Sequence, residues 1–344
     1  MNTREIQQRS KMNGKPVFTV PAKSVINFRS GFAPKLLCDG PTFTAGTCCP
    51  YSCSFCSVPT TMHWQLQPKG WLTKHGVTGK HQDIVVRRAD AVSIARKQLE
   101  SYPESERMEK KVIYSSPLTD VAANMELVRE TVELCAVILE LTNWDIRLLS
   151  KSNLLPKVAA GLAAFDCECV SDKRRVIYGV STGTLDDNLA AAFEQGTPKV
   201  SKRIESLHWL QDNGFRTFGM ICPSLPQWLP GKSEQQAYRH FAAEMFKSIR
   251  AEKCEHVWAE VINLRGESFT RTVDALRDAG YGAMADELAR VSVDKVEWER
   301  YARATFEAHA SQPYRPGQLR FLQYVTKATE ACWKEREPKG AVVL

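Results

Sequence analysis

The sequence predicts an α/β protein built on a parallel sheet, and two observations carry that prediction. Short β-branched and aromatic runs recur along the chain at Thr42-Phe43-Thr44, 111–115, 145–149, 176–181, 216–222 and 256–262. Stretches of helical periodicity separate most of them, which implies right-handed βαβ units. A chain of 344 residues is long enough to bury about 75% of its unfolded surface. The pattern therefore describes one main domain with additions. Six strands in this order fit either a partly closed barrel or a doubly wound open sheet, and spacing alone leaves both open.

Residues 1–30 lack sustained periodicity and read as a basic arm carrying Arg4, Arg9, Lys11, Lys15, Lys23 and Arg29. Phe18, Val20, Val25, Ile26 and Phe28 give that arm enough apolar surface to dock. The strand at Thr42-Phe43-Thr44 delivers a cysteine-rich loop. Residues 57–82 read as a long irregular loop, with Trp64, Trp71, His63, His75 and His81 placed to cover a substrate. A helix at 89–99 precedes the second strand. Val121, Met125, Val128, Val132 and Leu139 then recur at helical spacing, with Asp120 as the expected N-cap. A helix at 154–162 follows the third strand. The helix after the fourth has Thr197 at its cap, Pro198 at its first position and Gly214 just past its end. Another surrounds 234–249, and residues beyond Gly266 are helix-rich. The expected division is an arm over 1–30, a main domain over 31–265 and a helical C-terminal extension over 266–344.

The net charge is +7, and its concentration in the arm, Lys173-Arg174-Arg175 and Lys199-Lys202-Arg203 suits either phosphate contact or a solvated surface. No apolar run approaches the roughly 20 residues that span a bilayer. The first residues are too polar for a secretory leader, so the cytoplasm is the expected compartment. There, eleven cysteines serve as thiols and ligands, not disulfides.

Chemistry concentrates in Thr47-Cys48-Cys49-Pro50-Tyr51-Ser52-Cys53-Ser54-Phe55-Cys56. Cys49, Cys53 and Cys56 can converge from one tight loop. Three soft ligands suit an iron–sulfur cluster or zinc. On a [4Fe–4S] cube, three ligands leave one iron open to a small chelating molecule. The bland readings are a zinc knuckle completed by Cys48 or His63, or reduced core cysteines. Cys48 cannot start the same pattern, because Ser52 lies four residues on, and it reads as packed.

The loop resembles the Cys-x3-Cys-x2-Cys pattern of the radical S-adenosylmethionine (radical SAM) superfamily, with Phe55 as the aromatic before the last cysteine. The resemblance implies a partial (βα)6 barrel, a [4Fe–4S] cluster and SAM chelated at the open iron. It further implies reductive cleavage of SAM to a 5′-deoxyadenosyl radical that abstracts hydrogen from substrate. Ligands gather at the C-terminal ends of parallel strands. Ser115, Ser116, Thr119 and Asp120 follow the second strand, and Lys151 follows the third. Ser181 and Thr182 follow the fourth, while Met220 and Cys222 end the fifth. These are the candidate SAM contacts, Lys151 for the carboxylate and Met220 for an apolar edge under adenine. An external electron donor of the flavodoxin or ferredoxin type is implied as partner.

The span 23–226 is similar to the spore photoproduct lyase branch and its DNA repair photolyase-like relatives. Ser116-Pro117-Leu118-Thr119-Asp120, Ser150-Lys151-Ser152 and Glu194-Gln195-Gly196-Thr197-Pro198 carry that similarity. It assigns SAM contacts to Thr119, Asp120 and Lys151. It also implies a nucleic-acid substrate, but the lyase's hydrogen-donating cysteine matches Pro117 here. Cys222 is the nearby substitute. The alternatives are a radical SAM enzyme acting on a small molecule or peptide, and a non-catalytic zinc-binding protein.

Overall fold

The computed structural model describes residues 7–115, 118–166, 174–263 and 267–344. Arg4, Ser116, Pro117 and Lys173 lie outside the described residues. The chain divides into two compact units. The first comprises Met1–Ser52 and Cys56–Tyr178, the second Cys53–Phe55 and Gly179–Leu344.

The first unit begins with an antiparallel pair, β1 (Gln7–Met12) and β2 (Lys15–Val20). Asn13 and Gly14 join them with φ of 50° and 80°, the left-handed pair a type I′ hairpin turn needs. The stretch read as an arm is therefore half sheet. β3 (Ile26–Asn27), β4 (Thr42–Phe43), β5 (Gly46–Thr47), β6 (Val85–Arg88), β7 (Val112–Ser115) and β8 (Asp145–Ser150) follow. They form two sheets. One runs β1-β2-β6-β5, with β2 parallel and β5 antiparallel to β6. The other runs β3-β4-β7-β8, with β4, β7 and β8 mutually parallel. Phe28 stacks on Tyr102 at 3.9 Å beside the buried Trp144, so the predicted docking of this region holds.

Residues 57–82 are not an irregular loop. Val58–Leu66 and Trp71–Lys74 are helices, and Val58, Met62, Leu72 and Val77 bury against Phe18, Val20, Cys48 and Val86. Pro59 sits in the first turn, where its missing N–H costs nothing. Ala91–Glu100 and Leu155–Leu162 are helical as predicted. The long helix after β7 starts later than expected, at Met125, because Asn124 caps it by accepting from the Leu127 N–H.

Strand β9 (Val176–Thr182) carries the chain from the first unit into the second. The second unit continues with β10 (Arg216–Ser224), β11 (Val257–Val261), β12 (Leu319–Gln323) and β13 (Ala341–Val343). The order is β9-β10-β11-β12-β13, and β10 through β13 are mutually parallel. The C-terminal region thus adds two strands to its helices Ser268–Asp278, Gly282–Val293 and Lys295–Ala310. Its core stacks Phe321 on Trp333 with Phe306 edge-on to both. The helix Val200–Asp212 begins after Thr197, with Lys199 at its N-cap. The Thr197 hydroxyl donates back to Glu194 instead. Gly214 follows that helix at φ 72°, the left-handed stop the sequence predicts.

Candidate functional site

In the first unit, β5 runs directly into the cysteine loop. Cys48 takes φ 57° and is fully buried among Phe18, Val20, Val58 and Met62. Burial pushes its thiol up to about 12, and it packs within that apolar cluster. Cys49 and Cys56 are partly exposed. The surroundings of Cys49 join several predicted residues. The backbone N–H groups of Tyr51 and Asp120, the Asp120 carboxylate and Cys56 all lie close enough to act on its sulfur electrostatically. Burial, then the Asp120 charge, pushes the Cys49 thiol up to about 12. Metal coordination removes that proton, since the thiolate is the ligand.

Asp120 is not a helix cap. Its carboxylate accepts from Ser150 Oγ, from the Lys151 N–H and from the Ala122 N–H, each at 2.8 Å. It thereby ties the segment after β7 to the end of β8. Burial raises its pKa, and these donors with the Lys151 charge oppose the rise. Thr119 is buried, and its hydroxyl has no hydrogen-bond partner among the described residues. Thr119 and Asp120 line a small cavity of about 10 Å³ with Thr44 and Thr131, room for about one water. Ser115 Oγ accepts the Leu149 N–H at 3.1 Å, so it braces β8. Ser116 lies outside the described residues.

In the second unit, Ser54 anchors the tip of the loop between Cys53 and Phe55. Its N–H and hydroxyl meet the Phe193 carbonyl at 2.9 and 3.1 Å, and the hydroxyl lies 3.0 Å from Thr272 Oγ1. Arg271 Nε donates to the Ser54 carbonyl, and the rings of Phe55 and Phe193 sit 5.7 Å apart. At the strand ends, Ser181 Oγ is 3.5 Å from the Cys222 carbonyl, and the Thr182 hydroxyl donates to the Thr184 carbonyl in a tight turn. Met220 is buried on β10 beside Trp258 in register. Cys222 Sγ lies 3.7 Å from Glu260 Oε2. Glu260 was missed by the sequence reading, although a lone carboxylate inside Val257-Trp258-Ala259-Glu260-Val261 is itself a signal. Gly183 crosses Pro223 so closely that a Cβ would sit 2.1 Å from its carbonyl oxygen.

The donor types suit an iron–sulfur cluster: three cysteines stand in one irregular loop, and Cys48 is withdrawn into the core. Among the described residues no group of three His, Cys, Asp or Glu is brought close enough together to hold a metal ion. Among the described residues, too, no helix is long and apolar enough to cross a membrane.

No family model and no curated protein sequence matches the chain. Solved structures do. A mutant spore photoproduct lyase with dinucleoside spore photoproduct superposes with a TM-score of 0.54 at 10% identity, covering 80% of this chain and 72% of that one. Another mutant form of the lyase gives 0.51 at 10% identity, over 87% and 85% of the two chains. A lyase variant with bound AdoMet and dinucleoside spore photoproduct gives 0.50 at 10% identity, over 80% and 72%. The architecture is the α/β fold the sequence predicts, and it is shared with these lyase structures.

Proposed function

We propose that this chain is a radical SAM enzyme acting on a nucleic acid, with Cys49, Cys53 and Cys56 as ligands of a [4Fe–4S] cluster. The cysteine loop carries the reading: Cys49 stands with the backbone N–H groups of Tyr51 and Asp120 acting on its sulfur, in a fold shared with spore photoproduct lyase. Donors of this kind spread ligand charge and tune a cluster. When bound, the cluster and SAM supply the reductive cleavage that generates a 5′-deoxyadenosyl radical. Asp120 orients the backbone of Lys151, whose ammonium is the candidate partner for the SAM carboxylate. Thr119, whose buried hydroxyl has no partner among the described residues, is the candidate polar contact beside it. Ser181, Thr182 and Met220 remain candidates for ribose and adenine.

The photoproduct bound to the structural neighbours supports a lesion-bearing nucleic acid as substrate. With Pro117 at the position of the lyase's donor cysteine, hydrogen return falls to Cys222. Its S–H bond breaks homolytically and a substrate C–H bond forms. One electron from a flavodoxin- or ferredoxin-type donor and one proton restore the thiol. Glu260 stands beside that sulfur, and only the protonated thiol can give a hydrogen atom.

Anaerobic reconstitution with iron and sulfide tests the assignment. Cys49→Ala, Cys53→Ala and Cys56→Ala should each abolish cluster assembly and 5′-deoxyadenosine formation. A normal yield in any one of them, or a colourless zinc protein, would sink the reading. Binding of ultraviolet-irradiated oligonucleotide should weaken steeply with salt as counterions are released. Indifference to salt would favour a small molecule or peptide instead.

A further inference from the structure

The β1–β2 hairpin has a consequence for the cysteine loop. Lys15 opens β2 immediately after the Asn13-Gly14 turn, in register with Met12. β2 pairs with one edge of β6, and β5, which feeds the loop, pairs with the other. The β5–β6 approach is close: a Cβ on Gly46 would lie 2.4 Å from the Val86 carbonyl oxygen. From this platform Lys15 Nζ donates to the carbonyls of Cys49 and Tyr51, at 3.1 and 2.8 Å. Those carbonyls belong to the peptide planes before and after the Pro50–Tyr51 peptide. The N–H of that middle peptide is the one aimed at Cys49 Sγ. One ammonium thus pins the outer planes while the plane between them faces the sulfur.

We propose that Lys15 is a positioning residue for the metal ligands. It sets the Cys49–Tyr51 backbone in its ligand-ready conformation before any metal arrives, and it keeps a positive charge beside the loaded loop. The identity of the metal group rests on the proposed function, whereas the clamp itself does not. A carbonyl grip of this kind costs a free chain conformational entropy, and a hairpin stiffened by a type I′ turn supplies the rigid base. The charge has a separate effect, because net charge near an iron–sulfur cluster helps set its reduction potential.

The test uses the full chain with Lys15→Met, which keeps the stem and removes the donors, and Lys15→Arg, which keeps the charge. In metal-free protein, hydrogen exchange across the loop peptide containing Tyr51 should quicken about tenfold or more in Lys15→Met, as loss of charged hydrogen bonds implies. Amides of Phe18 and Val20 should keep wild-type protection. In reconstituted protein the midpoint potential should move negative in Lys15→Met and return toward wild type in Lys15→Arg. Unchanged loop exchange with an unchanged potential would overturn the proposal. So would general loosening of β2, which would make Lys15 an ordinary strand residue. A chain that assembles no iron–sulfur cluster would sink the functional reading, while the metal-free exchange would still report on the clamp.

Discussion

Asp120 shows what a single residue contributes. Its carboxylate joins Ser150, Lys151 and Ala122 by three hydrogen bonds, two of them to residues about thirty positions away in sequence. Asp120→Ala leaves buried donors without partners, each costing about 1–3 kcal/mol. The variant should lose about 2–4 kcal/mol, read as a lower urea midpoint at constant slope, and should bind SAM more weakly. Lys151→Ala separates the two effects. It retains the backbone N–H that Asp120 uses, so stability should hold and iron content stay normal while SAM affinity falls; unchanged affinity would return Lys151 to the surface. Asp120 was legible as a polar residue following a strand, which is why it entered the candidate set. Its actual partners were not, because the register between β7 and β8 is set by long-range pairing. The helical period does run back through Val121, but capping needs an acceptor three residues before a free N–H, and Asn124 is the residue so placed.

Elements show a similar division. Alternation of strand and helix was readable because each type has its own apolar period. Short elements were less so: the two-residue strands β3, β4 and β5 offer no period at all. Asn13-Gly14 was the strongest unread signal, a hairpin turn written in two residues. The Glu194-Gln195-Gly196-Thr197-Pro198 segment was noticed by resemblance alone, and its structural work lies in the ion pair it builds. Glu194 and Arg203 are both fully buried and 2.6 Å apart. Arg203 also donates to the carbonyls of Pro198 and Ser181 and to Thr197 Oγ1. The pair therefore fastens helices Asp187–Phe193 and Val200–Asp212 to the end of β9. Arg203→Met would strand a buried carboxylate, at a cost of about 3–5 kcal/mol. Pairing it with Glu194→Gln should recover part of that loss in a double-mutant cycle. Additive single effects would show that the two side chains act separately.

At the scale of the molecule, sequence locality stops being a guide. Residues 53–55 belong to the second unit although their neighbours on both sides belong to the first, and Ser54 reaches Thr272, 218 positions on. Nothing periodic announces such a contact. The stability of the whole chain also depends on a group that no motif marks. His309 is fully buried on the helix Lys295–Ala310, with both ring nitrogens unpartnered among the described residues and Phe241 edge-on to its ring. Burial lowers its pKa from 6.5 to about 4, so the folded state holds it neutral while the unfolded chain protonates near the ordinary value. Below about pH 6.5 the unfolded state binds the extra proton, and stability must fall as pH drops from there toward 4. The difference amounts to about 3 kcal/mol. The ion-paired carboxylates of Asp212 and Glu297, held down at about 2 from ordinary values of 3.8 and 4.5, begin to lose their share as pH falls through those ordinary values, so the decline between pH 6.5 and 5 is the part that reports His309. Urea denaturation at pH 7, 6, 5 and 4 should show the decline, and His309→Leu should flatten most of it while remaining folded at pH 7. A wild-type curve level across that range would mean that the imidazole gains a proton partner in solution.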